Sequence, residues 1–342
     1  MPHTDAPGPP AAAGPATGPA AGQATNRAPV ITTTGLSRSF ADVVAVRGLD
    51  LTVNAGEMFG LVGPDGAGKS TIIRMLCGIL TPGSGTGQIL GLDIIKNRAA
   101  LKRDIGYLSQ KFTLYGDLSV DENIEFFAEL HRVFDYGELR EQLLEFTQLK
   151  PFRDRLADKL SGGMKQKLAL ICTLIHRPKI IFLDEPTTGV DPVSRRELWG
   201  LLQKLNSDGM TIILCTPYLD EAERCARVAF IHGGELLRVD TPENLRRIIP
   251  GRMIEIVCDD PRRAIDLLDA HGEYRRSQVF GDRIRVMVGG GESGGEAGPG
   301  PFGPIESVLA GGGLRVTSWR FVKPALEDVF IYLMLMEDSP VP

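Results

Sequence analysis

The sequence predicts an α/β protein with a largely parallel sheet, an inserted helical subdomain and a smaller α+β unit near its end. Short apolar runs alternate with helical patterns from Val30 to about Arg247, which is typical of a parallel sheet covered by helices. Within this region, residues from about 111 to 177 have a helical period and no convincing strand. Strand and helix patterns resume on a smaller scale after Pro250 and Gly251.

The composition limits the classes of function. The 342 residues suggest about two domains, and a hydrophobic content of 43% is enough to form a core. A net charge of -5 gives no electrostatic reason to expect nucleic-acid binding. No apolar run approaches the ~18 residues that span a bilayer, and the N-terminus lacks a secretory pattern. We therefore expect any action at a membrane to depend on other chains.

Two stretches hold 21 of the 63 glycines and prolines. Residues 1–29 are rich in proline, alanine and glycine and are expected to be a disordered tail. Residues 289–303 contain eight glycines and are expected to form a tolerated loop. The five cysteines form no C-x-x-C pair, which favours reduced core thiols over disulfides or a zinc site.

The first unit, residues 30–247, has eight expected strands. In chain order they are 30–36, 46–53, 58–62, 88–90, 105–108, 180–183, 211–214 and 228–231. Ser119 and Glu122 fit a capping box that opens a helix through His131.

The second unit, residues 251–337, has the order βαββαβ, which predicts a small ferredoxin-like domain. The expected elements are strand 254–258, helix 261–271, strands 274–280 and 284–288, helix 305–310 and strand 314–321. An apolar helix over 324–336, too short to cross a membrane, closes the chain.

A glycine-rich motif predicts a phosphate site. Residues 63–70 match G-x-x-x-x-G-K-[ST] between an apolar strand and a helical run. Backbone N–H groups of such a loop turn toward phosphate oxygens, and the helix N-terminus adds partial positive charge. Lys69 would contact the β- and γ-phosphates, and Ser70 would offer a hydroxyl to Mg²⁺. The predicted nucleotide contacts are Gly63, Pro64, Asp65, Gly66, Ala67, Gly68, Lys69, Ser70 and Thr71. The alternative is a glycine-rich turn without a ligand.

A second motif is an apolar strand that ends in two carboxylates, Asp184 and Glu185. A buried strand would deliver Asp184 to the sheet edge, near Mg²⁺ and its waters. Glu185 lies one residue further, where a general base could polarise an attacking water. Many strands end in acidic loops, so this motif indicates a nucleotide site only in combination with the phosphate loop.

A third motif, Leu160-Ser161-Gly162-Gly163-Met164-Lys165-Gln166, resembles the LSGGQ signature of ABC (ATP-binding cassette) ATPases. With it, residues 30–247 resemble one such nucleotide-binding domain, a P-loop NTPase core with an inserted helical subdomain. Ser161, Gly162 and Gly163 would start a helix whose N–H groups can bind a γ-phosphate. The resemblance implies that this phosphate is held by an opposite protomer, so that ATP joins two domains.

The resemblance also implies roles for single residues. Gln110 matches the glutamine that contacts Mg²⁺ and water, and residues 111–118 would face a helix of a permease. Asp191 matches the aspartate that links two sites across a dimer. Phe40 takes the adenine-stacking position, although a core phenylalanine at a strand end is an equal alternative. The implied catalytic set is Glu185, Gln110 and Lys69, and the implied metal set is Ser70, Gln110 and Asp184, with ATP and Mg²⁺ as cofactors.

One position departs from the family. Pro217 stands where these ATPases normally carry a histidine that contacts the γ-phosphate. Proline has neither a side-chain donor nor an N–H group. We therefore expect impaired hydrolysis at this chain's own site and a second, different ATPase that supplies the histidine. A homodimer with two histidine-free sites stays open.

The end of the chain resembles drug-resistance exporter ATPases of bacteria, through Lys323-Pro-Ala-Leu-Glu-Asp-Val-Phe-Ile331. This resemblance implies a separate membrane permease and a location at the cytoplasmic face of the membrane. The C-terminal unit would be regulatory or dimer-stabilising, or simply a packing accessory. The alternatives are a non-transport ABC ATPase and a dimer switch with little hydrolysis.

Overall fold

The computed structural model describes residues 28–110, 114–271, 274, 278–288 and 302–337. Three β-sheets organise these residues, with four, six and four strands. Among the described residues, no helix is both long enough and apolar enough to cross a membrane. Residues 1–27 of the predicted tail lie outside the description, and Pro29 already begins a strand.

The strands of the α/β unit form two sheets. They are β1 (Pro29–Phe40), β2 (Val43–Asn54), β3 (Met58–Val62), β4 (Ser84–Ile89), β5 (Leu92–Asp93), β6 (Ile105–Leu108), β7 (Ile180–Asp184), β8 (Thr211–Thr216), β9 (Arg227–His232) and β10 (Glu235–Asp240). One sheet is antiparallel with the order β2-β1-β4-β5, and the other has the order β10-β9-β3-β8-β7-β6. In the six-stranded sheet only the β9–β10 pair is antiparallel.

The central strands of the six-stranded sheet are buried. Every residue of β3, β7 and β8 is buried, as expected for parallel strands covered on both faces. β3 lies between β9 and β8, and β8 lies between β3 and β7. The carboxyl ends of β3 and β7 therefore meet at one edge of the sheet with one strand between them.

Helices flank this sheet and build the predicted insertion. They are α1 (Lys69–Leu76), α2 (Arg98–Asp104), α3 (Val120–Leu130), α4 (Gly137–Phe146), α5 (Gly162–Leu174), α6 (Pro192–Ser207), α7 (Leu219–Ala222) and α8 (Pro242–Arg246). Residues 114–177 contain α3, α4, α5 and two 3₁₀ turns but no strand, which confirms the predicted helical character of the insertion. Residues 111–113 lie outside the description.

The capping box is confirmed in atomic detail. The Ser119 hydroxyl accepts from the Glu122 N–H at 3.2 Å, and the Glu122 carboxylate accepts from the Ser119 N–H at 2.7 Å. The helix ends at Leu130, one residue earlier than predicted.

The C-terminal unit has its own sheet and its own core. Its elements are β11 (Arg252–Cys258), α9 (Pro261–His271), β12 (Gln278–Phe280), β13 (Arg283–Val288), α10 (Gly303–Gly311), β14 (Val316–Val322) and α11 (Leu326–Glu337). The predicted βαββαβ order is present, and the antiparallel sheet has the order β12-β13-β11-β14. Gly303 begins α10, so the predicted glycine-rich loop ends earlier than residue 303. Its residues 289–301 lie outside the description.

The last helix returns to the α/β unit. Leu326, Val329 and Phe330 of α11 are buried in the hydrophobic cluster that contains Phe230 of β9. The rings of Phe230 and Phe330 meet edge to face with centroids 5.3 Å apart. All five cysteines are free and buried, which confirms their predicted core position.

Candidate nucleotide site

The phosphate loop connects β3 to α1 and needs its glycines. Gly66 and Gly68 have φ angles of 80° and 102°, in the left-handed region that favours glycine. A side chain on Gly63 would overlap the Ile231 carbonyl, and one on Gly68 would overlap the Ala45 carbonyl. The turn geometry and the close packing together explain this residue pattern.

Lys69 opens α1 and holds the loop in shape. Its side chain is buried, and Nζ donates to the carbonyls of Gly63 at 2.8 Å and Pro64 at 2.9 Å. The ammonium group is therefore held against the loop that precedes α1, and a helix N-terminus is itself a place where anions bind well. This concentration of positive charge suits the β- and γ-phosphates of a nucleotide.

The predicted metal residues Ser70 and Asp184 meet directly. The Ser70 hydroxyl donates to Oδ1 of Asp184 at 2.8 Å, and Asp184 is fully buried. Hydroxyl and carboxylate oxygens fit Mg²⁺, which usually takes one or two carboxylates together with phosphate oxygens and water. No cluster of three or more His, Cys, Asp or Glu among the described residues forms a complete cage. This donor set fits a Mg²⁺ ion shared with a nucleotide.

Tyr107 on β6 is a neighbour of this carboxylate that the sequence reasoning missed. Its hydroxyl donates to Oδ2 of Asp184 at 3.3 Å and also forms a hydrogen bond with Arg74. Burial raises the pKa of Tyr107 to about 12, so the phenol stays protonated and remains a donor. The signal in the sequence was a polar-tipped aromatic residue on the strand that leads to Gln110.

The predicted catalytic pair, Gln110 and Glu185, also comes together. Gln110 Nε2 donates to Oε2 of Glu185 at 2.8 Å, and the Thr188 hydroxyl donates to the same oxygen at 3.2 Å. Glu185 has a φ of 53°, which is uncommon for a residue with a side chain. Its N–H donates to the Cys215 carbonyl at 3.0 Å. The backbone thus holds Glu185 in a strained geometry beside the end of β8.

The signature segment begins α5, as predicted. The Ser161 hydroxyl caps the helix by accepting from the Met164 N–H at 3.3 Å. Ser161 and Gly162 are exposed, whereas Gly163 packs so closely on Ser194 that a side chain would overlap it. The helix N-terminus is therefore open to another molecule on one side and fixed to α6 on the other.

Asp191 caps α6 next to the signature. Its Oδ1 accepts from the N–H groups of Val193 and Ser194, each at 3.0 Å. Hydrogen bonds from Ser194 and Val193 lower the pKa of this exposed carboxyl. Because Ser194 also contacts Gly163, the Asp191 segment and the signature form one surface.

Phe40 lies at the end of β1 with 45% of its surface exposed. The alternative of a core phenylalanine is therefore wrong. The Arg38 guanidinium lies 4.9 Å from the ring centroid and covers one face of the ring. Adenine stacking stays a prediction for the other face.

Pro217 follows β8 directly, between the phosphate loop at the end of β3 and Glu185 at the end of β7. The four histidines in the described part of the chain lie in other places. The rings of His131 and His176 stack in the helical insertion, His232 faces Phe330, and His271 ends α9.

A phosphate loop on a mostly parallel sheet, facing an acidic strand end across one strand, defines a nucleotide-binding protein of the phosphate-loop class. The sequence profile of the ABC transporter family matches residues 46–188. The chain is 36% identical over 307 residues to Nod factor export ATP-binding protein I of Rhizobium sp. (strain N33), which covers 87% of this chain and 95% of that protein. This chain belongs to the family of ABC transporter ATP-binding proteins.

Other comparisons agree with this assignment. The chain is 53% identical over 229 residues to the probable multidrug ABC transporter ATP-binding protein YbhF of Escherichia coli (strain K12), over 65% of this chain. It spans only 39% of the length of that relative. A dimeric structure of the ATP-binding cassette MJ0796 bound to ADP and Pi superimposes with a TM-score of 0.55 and 27% identity, over 62% of this chain and 98% of that chain. Domains of this family bind ATP, typically with Mg²⁺, and are ATPases coupled to transport. The predicted family and core fold are confirmed.

Proposed function

We propose that this chain is the ATP-hydrolysing subunit of a multisubunit exporter, working with separate membrane permeases at the cytoplasmic face of the membrane. The match to the Nod factor export protein carries this proposal. Its 307 aligned residues exceed the length of the α/β unit and so extend into the C-terminal unit. A general similarity to ABC ATPases would be expected to cover only the α/β unit, whereas this match also includes the C-terminal unit.

ATP-driven dimerisation is the proposed source of motion. Ser161 and Gly162 are exposed at a helix N-terminus, where a γ-phosphate held by a second subunit can be bound. The surface that Asp191 shares with the signature supports the same arrangement. Closure of the dimer would move the helical insertion, and hydrolysis would release it.

An apolar groove between the insertion and the main sheet supports permease docking. Its cavity of about 200 Å³ is lined by Ile79, Phe127, His131 and His176, among others. Leu130 nearby in sequence is 64% exposed, and Phe134 is 84% exposed. Ile79, in the lining of the groove, is itself 55% exposed, and exposed apolar surface is typical of an interaction site.

Pro217 supports a pairing with a second ATP-binding subunit. It lies between the phosphate loop and Glu185, and it offers no side-chain donor to a γ-phosphate. A partner that carries the family's histidine would hydrolyse ATP at its own site, while this chain completes that site with its signature. Glu185 is retained, so slow hydrolysis at this chain's own site is still expected.

Two measurements test these proposals. A tagged chain expressed in its native host is expected to co-purify with a polytopic membrane protein and a second ATPase. Recovery of ribosomal RNA without a permease would instead favour a non-transport ABC ATPase. Robust ATP turnover by the purified chain alone, abolished by Glu185→Gln, would contradict the proposed pairing.

A further inference from the structure

A buried carboxylate outside the nucleotide contacts links two loops of the site. Glu221 lies on α7 and is 1% exposed. Its Oε1 accepts from the Thr187 hydroxyl at 2.5 Å, and its Oε2 accepts from the Thr216 hydroxyl at 2.8 Å. Both oxygens of one carboxylate are therefore used to join two threonines, and hydrogen bonds to a charged acceptor are the strong ones.

The two threonines come from the ends of neighbouring strands, one after β7 and one at the end of β8. Thr187 lies two residues after Glu185, in the loop that leads to Asp191. Thr216 is the last residue of β8 and precedes Pro217. Both side chains are fully buried, and Asp184 pairs with Cys215 across the two parallel strands. Glu221 thus bridges adjacent strand ends just beyond their last paired residues.

Further contacts extend this bridge to α6. Arg195 Nε lies 3.8 Å from Oε1 of Glu221, and the Arg195 guanidinium lies 4.8 Å from the centroid of the Tyr218 ring. The Tyr218 N–H donates to the Thr216 hydroxyl at 3.0 Å. The positive charge of Arg195 compensates the buried carboxylate, and the segment around Pro217 is fastened at its backbone.

We propose that Glu221 is a positioning residue for ATP hydrolysis, acting through Thr187 and Thr216. Its carboxylate fixes the loop that carries Glu185 against the segment that carries Pro217. Pro217 has no side-chain donor that could connect its segment to a nucleotide. The hydrogen bond from the Thr216 hydroxyl to Glu221 instead connects this segment to the loop that carries Glu185. The strained backbone of Glu185 makes such support consequential, because a small displacement of its carboxylate would misplace the attacking water.

The test uses isosteric variants of the purified full-length chain. Thr187→Val and Thr216→Val each remove one hydroxyl with little change in volume, whereas Thr187→Ser retains the hydroxyl. Thr147→Val is the matched control, since its buried hydroxyl donates to the Leu143 carbonyl at 2.9 Å in the helical insertion. Single-turnover hydrolysis of γ-³²P-ATP, affinity for Mg·ATP and melting temperature are measured for each variant.

We expect the hydrolysis rate constant to fall about tenfold in both valine variants, with the affinity for Mg·ATP changed less than about twofold. Thr187→Ser should restore most of the rate. Thr147→Val should lower the melting temperature by a similar amount and leave the rate unchanged. If the role of Glu221 were purely structural, the valine variants at 187 and 216 would lose no more hydrolysis rate than Thr147→Val does for the same loss of stability.

Three results would overturn the proposal. The first is hydrolysis within about twofold of the wild-type rate in both valine variants. The second is an equal loss in Thr147→Val. The third is a wild-type rate no higher than that of Glu185→Gln, because no Glu185-dependent chemistry would then exist to be positioned. The test needs neither a permease nor a second ATPase, so failure of the exporter proposal would leave it intact.

Discussion

The Ser70 hydroxyl donates a 2.8 Å hydrogen bond to Oδ1 of Asp184, which joins the first turn of α1 to the end of β7. The two residues are 114 positions apart in the chain. They meet because β8 alone separates β3 from β7 in the sheet. Two oxygens that suit Mg²⁺ are therefore held together by the protein's own hydrogen bonds.

The first prediction concerns the charge of this pair. Asp184→Asn keeps an acceptor for Ser70 but removes the negative charge that a cation requires. We expect Mg²⁺-dependent ATP hydrolysis to fall by about 100-fold. Titration of a fluorescent ATP analogue should also lose its dependence on Mg²⁺. The exposed Asp208, at the end of α6, offers Asp208→Asn as a control with unchanged activity. Equal Mg²⁺ dependence in Asp184→Asn and wild type would contradict the assignment.

The second prediction concerns Tyr107. Tyr107→Phe keeps the ring but removes the hydroxyl that donates to Asp184 at 3.3 Å and interacts with Arg74. We expect a loss of about three- to tenfold in the hydrolysis rate, as for a long hydrogen bond worth about 1 kcal/mol. Because burial raises the pKa of Tyr107 to about 12, its ionisation should not shape the rate profile between about pH 7 and 10. Steady-state assays across that range, with Tyr136→Phe as the control, measure both effects.

The strands were predicted best where local pattern and burial agree. β3 and β6 have the predicted bounds, because each is a short apolar run on the buried sheet. The strand predicted at 88–90 overlaps only the last two residues of β4, which runs from Ser84 to Ile89. The Ser-Gly-Thr-Gly segment there has weak β propensity and is held extended by antiparallel pairing with β1. The sequence pattern did not predict β10, because β10 is a half-buried edge strand. It is held in place by pairing with β9, and this pairing leaves no local pattern in the sequence.

The site was predictable where a motif carries its own chemistry. The Ser70–Asp184 pair follows from two motifs and from the rule that parallel strands share one edge. Gln110, which meets Glu185, was implied only by the family resemblance. Tyr107 and Glu221 could not be found in this way. Their roles depend on which buried oxygen faces them, and only the packing of neighbouring strands decides that. Glu221 is distinguished from other acidic residues by its burial, and the burial of one particular carboxylate cannot be read from a single sequence.

The third prediction concerns a pH effect on stability. The rings of His131 and His176 stack with centroids 3.9 Å apart, and burial together with repulsion from His176 lowers the pKa of His131 to about 4. In the unfolded chain His131 takes up a proton below about pH 6.5, whereas in the folded protein it does so only near pH 4. Stability is therefore full above about pH 6.5 and falls as the pH drops through this window.

Because the His131 ring is only half buried, we expect a loss of roughly 1–2 kcal/mol across the window. Urea unfolding from about pH 7 to 4.5 measures it. His131→Phe keeps a stacked ring and should weaken the pH dependence, leaving the part that comes from His176, whose pKa is also lowered by burial. His271→Gln, on α9, should retain the full dependence. A profile unaffected by His131→Phe would show that other groups cause the acid loss.

The fourth prediction concerns a buried carboxylate of the C-terminal sheet. Glu255 is 5% exposed and accepts from Arg320 at 2.7 Å and from Arg283 at 2.9 Å. Burial raises the pKa of Glu255, but hydrogen bonds and charges from Arg320 and Arg283 outweigh it and hold the pKa below its usual range. Glu255→Gln leaves these guanidinium groups without their anion and should destabilise this unit by about 2–3 kcal/mol. Limited proteolysis should show faster cleavage after residue 250, and ATP binding should stay unchanged.

The last prediction concerns the attachment of α11 to the α/β unit. Phe330 is 9% exposed and meets Phe230 edge to face at 5.3 Å. Phe330→Ala should cost about 3–5 kcal/mol, because it removes a large buried ring and leaves a cavity. Phe134→Ala, at a position 84% exposed, should cost less than about 0.5 kcal/mol. A double-mutant cycle with Phe230→Ala should give a coupling of about 0.5–1.5 kcal/mol. Equal costs for the two single alanine variants at 330 and 134, measured by urea unfolding, would mean that α11 does not hold the two units together.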